Sequence, residues 1–134
     1  MKRILIMGLP GSGKTSLAKE LSKKLKCKWI NADKIRSKYN DWDFTKKGVL
    51  RQSKRMYTLS KKANGKYIVA DFICPYEKGR KIFKPDLLIW MDTINKGRLS
   101  TFDKKFEKPK KYDYRIKKRL AKFYSKKISK KIKE

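Results

Sequence analysis

Carboxylates and thiols are scarce in this chain. Twelve Asp and Glu stand against 40 Lys and Arg in 134 residues, a formal net charge of +28. Electrostatics alone then favours polyanionic partners, whether nucleic acid, an anionic membrane surface or phosphorylated metabolites. The alternative is compositional, because lysine greatly outnumbers arginine and is spread over the whole length, as it is when it fills solvated positions. The two cysteines, Cys27 and Cys74, stand at no metal-ligand spacing and are too few for a disulfide scaffold, which points to a reducing compartment such as the cytoplasm. No apolar run approaches the roughly 20 residues of a membrane span, and MKRILIMG reaches a glycine before it is long enough for a signal peptide. A soluble, cytoplasmic protein with no membrane partner is expected. There is no internal repeat and no linker, so residues 1–134 are expected to fold as one domain. Nothing in the sequence sets an oligomeric state.

What is present alternates in period. The run Arg3–Met7 is continuously apolar, which suits a parallel strand covered on both faces, and it ends in a glycine loop. Leu17, Ala18, Leu21 and Leu25 then recur at helical spacing. KWINAD reads as a second strand with Asp33 at its end. Val49, Ser53, Met56, Ser60 and Ala63 line one face of a helix capped by Thr45 and stopped at Asn64-Gly65. KYIVADFICP and DLLIWMD are two further strands with room between them for only a short helix, and YDYRI suits a short last strand. Asn95–Lys111 is polar and aperiodic, as a lid or a plain solvated loop is. A terminal helix over about 115–133 carries the narrow stripe Ile116, Leu120, Phe123, Tyr124, Ile128 and Ile132. Strands alternating with helices imply an α/β fold with a parallel sheet flanked by helices.

The segment Gly8-Leu9-Pro10-Gly11-Ser12-Gly13-Lys14-Thr15-Ser16 fits the phosphate loop (P-loop), in its required place between a strand and a helix. Backbone N–H groups of such a loop turn inward around a β-phosphate, and the helix N-terminus adds positive charge. Lys14 would bridge the β- and γ-phosphates, and the Thr15 hydroxyl would ligate Mg²⁺. A GTPase, an ATPase motor and a small kinase all use this loop; the short chain and the lack of an NKxD pattern favour the kinase. Such an enzyme needs a carboxylate at the acceptor hydroxyl, and Asp33 is the candidate base, a helix cap being its lesser alternative. Asp71 is either a Mg²⁺ ligand through water or a buried carboxylate paired with lysine. Tyr39, Trp42 and Phe44, close to Arg36, suit a base or nucleoside, or else core packing.

Read together, GLPGSGKTSLA, NADKIR, DWDFT, RQSKR, ICPYEKGR and FEKP resemble, in order, the motifs of the adenylylsulfate kinases, over residues 1 to about 116. The resemblance implies a P-loop NTPase fold with a short lid over about 95–111, ATP and Mg²⁺ as cofactors, and transfer of the γ-phosphoryl to a small nucleotide-like acceptor, adenylylsulfate first. It makes Asp33 the catalytic carboxylate. It gives Arg36 to the acceptor's anionic group, Phe44 to its base, and Gln52, Arg55, Cys74 and Arg80 to further acceptor contacts. Arg98, with Lys104 or Lys105, would be a lid cation on ATP. Departures are Asn31 for the first aspartate of DGDxxR, Val49 for an arginine, Cys74 for serine, and a shortened lid. The compressed sequence is also similar to small phage-encoded kinases, for which the compartment would be the host cytoplasm. Two other readings stay open on the charge: a kinase of a DNA or RNA hydroxyl, and a nucleic-acid-binding ATPase without transfer activity.

Overall fold

A computed structural model of the chain describes residues 1–95 and 105–134. The elements are β1 (Lys2–Met7), α1 (Lys14–Leu25), β2 (Lys28–Asn31), α2 (Ala32–Tyr39), α3 (Lys46–Lys61), β3 (Tyr67–Asp71), α4 (Glu77–Phe83), β4 (Leu87–Met91), β5 (Tyr114–Ile116) and α5 (Ala121–Lys133). The strands form one parallel sheet in the order β2-β3-β1-β4-β5. From β1 the chain crosses to one side to make β2 and β3, then to the other to make β4 and β5. The carboxyl end of β1 is thus a switch point of the kind where parallel sheets bind ligands.

The pleat explains why β1 is apolar throughout. Leu5 and Met7 face a core completed by Met56, Phe72 and Phe83, on the side covered by α3 and α4. Ile4 and Ile6 face the opposite core, with Leu17, Leu21 and Ile128 of α1 and α5. Each such fully buried side chain contributes roughly 1.5–3 kcal/mol relative to an exposed one, so the central strand is fixed from both sides.

Helix ends follow their local chemistry. Gly13 precedes α1 at φ +99°, a conformation costly for other residues. The Thr45 hydroxyl accepts the Gly48 N–H at 3.3 Å to cap α3. Two expectations are corrected at this level. Asp33 does not end a strand: β2 stops at Asn31, and Asp33 lies in the first turn of α2. The terminal helix begins at Ala121 and not near 115, because Tyr114–Ile116 pairs with β4. Its apolar stripe is correspondingly narrower. Tyr124, Ile128 and Ile132 pack on α1, whereas Leu120 and Phe123 are 49% and 58% exposed. Among the described residues no helix is long and apolar enough to cross a membrane.

Candidate active site

The loop between β1 and α1 closes tightly on itself. A Cβ on Gly8 would lie 2.6 Å from the Met91 carbonyl oxygen and 2.8 Å from Ser12 Oγ, so only glycine lets the loop pass there. Ser12 is fully buried; its carbonyl accepts from Thr93 Oγ1 at 2.7 Å, while its own hydroxyl has no hydrogen-bond partner among the described residues. Lys14 Nζ reaches back across the loop to the Leu9 carbonyl at 2.9 Å.

Beside the loop, β3 delivers Asp71, which is 2% exposed. Thr15 Oγ1 donates to its Oδ2 at 3.1 Å, Trp29 Nε1 donates to its Oδ1 at 2.7 Å, and Asn31 Nδ2 lies 3.2 Å from both oxygens. Burial pushes this carboxyl above the ordinary range, and the three donors and the nearby Lys14 charge pull it back. Asn31 does a second task. Its side-chain oxygen accepts the Lys34 N–H at 3.0 Å, so Asn31 and not Asp33 caps α2.

A cleft of about 1020 Å³ opens in front of these groups. Pro10, Gly11, Gly13, Lys14, Thr15 and Ser16 line its loop side, with Asp71 behind them. Asp33, Arg36, Trp42, Phe44 and Gln52 line the α2–α3 side, together with Val49 and Cys74. Gly8, Leu9 and Ser12 shape the loop from beneath and are not on the cleft wall. Arg36 is 5% exposed; its Nη1 donates to the Asp41 carbonyl at 2.8 Å, and its guanidinium stands 4.4 Å from the Phe44 ring centroid. Gln52 Nε2 donates to the Ala32 carbonyl at 3.2 Å, tying α3 to the start of α2. Cys74 is 1% exposed, and burial pushes its thiol up to about 12, so it presents a neutral S–H.

Two expected acceptor contacts are not on this wall. Arg55 turns to Asp41 Oδ2 at 3.1 Å and stacks over Tyr39, 4.3 Å from its ring centroid. Arg80 donates to the Cys74 carbonyl at 3.2 Å and to the Glu107 carbonyl, with Phe106 beneath it at 5.5 Å. Glu107 also accepts the Glu77 N–H at 2.9 Å. Arg80 therefore fastens Glu107, within the segment expected as the lid, to α4, and these bonds together with Glu77 Oε2 at 3.4 Å satisfy a buried cation. Arg98 and Lys104, and most of the segment expected as the lid, lie outside the described residues; Lys105 is exposed.

Sequence reasoning missed Arg119. It follows β5 and reaches back 108 residues to donate to the Gly11 carbonyl, on the same cleft wall as the loop. No motif surrounds it, since only the parallel placement of β5 brings it there. Trp29, inside the strand run KWINAD, also serves the site as a hydrogen-bond donor to Asp71.

This is the α/β fold of the P-loop NTPases, and a family model described as an AAA domain matches residues 4–113, so the chain belongs to that family. No curated protein matches it by sequence. Among solved structures it is similar to the Mycobacterium tuberculosis APS kinase CysC in complex with AMPPNP and APS, with a TM-score of 0.83, 18% identity, and coverage of 99% of this chain and 98% of that one. It is also similar to shikimate kinase from Acinetobacter baumannii in complex with shikimate (TM-score 0.68, 17% identity, 98% and 93% covered). A gluconokinase from Sinorhizobium meliloti 1021 follows the same path (TM-score 0.65, 12% identity, 98% and 95% covered).

Proposed function

We propose that the protein is a kinase that moves the γ-phosphoryl of ATP to a hydroxyl of a small nucleotide-like acceptor, with adenylylsulfate the first compound to try. One observation carries this reading: the phosphate loop and a carboxylate on a separate element, Asp33, line one cleft whose α2–α3 wall also holds Arg36, Trp42 and Phe44. A bare nucleotide hydrolase has no need of that second wall. The similar structures support it, being kinases named for small molecules, one holding AMPPNP with APS and one holding shikimate.

In this reading the loop N–H groups and Lys14 hold the β- and γ-phosphates, Arg119 borders the nucleotide end, and Asp33 orients the acceptor hydroxyl and takes its proton. Arg36 and Phe44 form a preassembled wall, cation against ring, that receives a planar acceptor. The oxygen ligands Thr15 Oγ1 and Asp71 Oδ2, 3.1 Å apart, suit Mg²⁺ and would hold it, Thr15 directly and Asp71 through a water. Bound Mg²⁺ supplies charge neutralisation on the phosphate oxygens. Domain extent over 1–134, a lid within about 95–111 and a cytoplasmic setting belong to the same proposal.

A screen of labelled ATP against adenylylsulfate, other nucleotides, polyols and an oligonucleotide tests it. Label is expected in a small acceptor, to be abolished in Lys14→Ala with the melt unchanged. Asp33→Asn is expected to lower turnover about 10²–10⁴-fold with ATP affinity retained. Label in the oligonucleotide alone, or hydrolysis with no acceptor labelled, would overturn the proposal.

A further inference from the structure

The solvent face of α5 takes no part in the cleft. Residues 117–133 carry nine Lys and Arg and no Asp or Glu, a cation density well above the chain's 40 in 134. At the chain's average a segment of this length would carry about five cations. Lys122, Lys126 and Lys130 succeed one another at four-residue steps, about 6 Å of rise apiece. Phe123, Lys127 and Lys131 form the neighbouring row, and all six side chains are exposed. A helix that lies in a membrane surface needs a free apolar face. The apolar side of α5 is instead packed on α1, where Lys133 Nζ also binds the Lys24 carbonyl at 2.8 Å. What remains to solvent is two rows of ammonium groups and one aromatic ring.

We propose that this face binds single-stranded nucleic acid, the lysine rows engaging successive phosphates and Phe123 stacking on a base. The sheet order separates this surface from the acceptor wall. Helix α5 follows β5 at one edge, Asp33 follows β2 at the other, and the phosphate loop lies between them. A strand held on α5 therefore sits beside the nucleotide end and does not present a hydroxyl to Asp33. It is a tether, and it does not depend on the kinase reading.

The test compares two triple variants of equal charge change, K122E/K126E/K130E on α5 and K54E/K62E/K66E on exposed lysines elsewhere. With a fluorescent single-stranded oligonucleotide of about 20 nucleotides near physiological salt, the α5 triple is expected to lose at least about tenfold in affinity. Its log–log salt slope should fall by about 2, whereas the control should lose under about twofold. Phe123→Ala alone is expected to lose about tenfold. Equal losses from both triples would mean diffuse attraction and overturn the proposal. So would tighter binding to phosphatidylcholine vesicles containing phosphatidylserine, abolished by the same α5 triple. Should the α5 triple melt early, K122Q/K126Q/K130Q repeats the comparison with half the charge change, and indifference of binding to it overturns the proposal as well.

Discussion

At the residue scale the site is dominated by one carboxylate that the fold has taken out of water. Asp71 is held by Trp29 and Asn31 of β2 and by Thr15 of α1, three neutral donors. This also gives Asn31 a physical role as a departure from the kinase motif: a carboxylate at that position would face Asp71 oxygens 3.2 Å away, where the amide donates instead. Because burial raises the Asp71 pKa, its contribution to stability is full below the unfolded value near 4 and is lost as pH rises through the folded value. Asp71→Asn removes that loss. Without added metal, the melting temperature of the variant relative to the parent is expected to rise between pH 4 and pH 7, while phosphoryl transfer falls about 10²-fold or more. A variant whose relative stability is independent of pH would show that the folded carboxyl titrates where the unfolded one does, and that burial does not raise it. At Asp41 the sign is opposite. Arg51 at 2.9 Å and Arg55 at 3.1 Å hold this carboxyl well below the ordinary range, so its contribution is present above pH 4 and lost on acidification. Melts of Asp41→Asn are therefore expected to fall below the parent at pH 7 and to approach it as pH drops towards 2.

At the element scale, α2 and α3 and the turn between them build the acceptor wall, and that turn is packed closely around Gly48. A Cβ there would lie 2.2 Å from the Asp43 carbonyl oxygen and 2.4 Å from Asp43 Cγ. Alanine ordinarily favours a helix by about 1 kcal/mol over glycine, but here backbone must move, which costs about 1–3 kcal/mol. Gly48→Ala is expected to lower the melting temperature by several degrees and to raise KM for the acceptor more than KM for ATP, because Phe44 and Trp42 sit on the displaced turn. Equal effects on both would place the damage in the core. The same elements show what a single sequence discloses. The order of strands and helices was legible because apolar runs and helical periods are local, and the phosphate loop because its chemistry is contiguous. Thr45 as the cap of α3 was legible for the same reason. Asp33 was misplaced by one element boundary, since both a strand end and a helix start accept the same residues. Arg80 and Arg119 were opaque: the bonds of Arg80 to Glu107 and of Arg119 to Gly11 join segments 27 and 108 residues apart, which only the sheet order brings together.

For the whole molecule the dominant quantity is the net charge of +28. Among the described residues the ion pairs gather at Asp41 and Asp43 with Arg51 and Arg55, with single pairs at Glu77–Arg80 and Asp92–Arg115. All of these pairs are made by arginine. Exposed ion pairs contribute little, about 0–1 kcal/mol each, so repulsion summed over the surface outweighs them and works against the compact state. Salt shortens the reach of that repulsion from about 30 Å at 0.01 M to about 8 Å at 0.15 M. The melting temperature is therefore expected to climb by several degrees over this range of sodium chloride, steeply at first and then levelling. Chloride binding at the phosphate loop would also stabilise, by mass action, and the α5 triple reversal separates the two causes. Three Lys→Glu changes take the charge from +28 to +22 and leave the loop intact. If repulsion is the cause, the variant melts higher than the parent at 0.01 M salt and its salt dependence is flatter. If anion binding is the cause, the two dependences are parallel. A melting temperature that falls with salt in the parent would mean that the few ion pairs outweigh the repulsion, and the argument from net charge would fail.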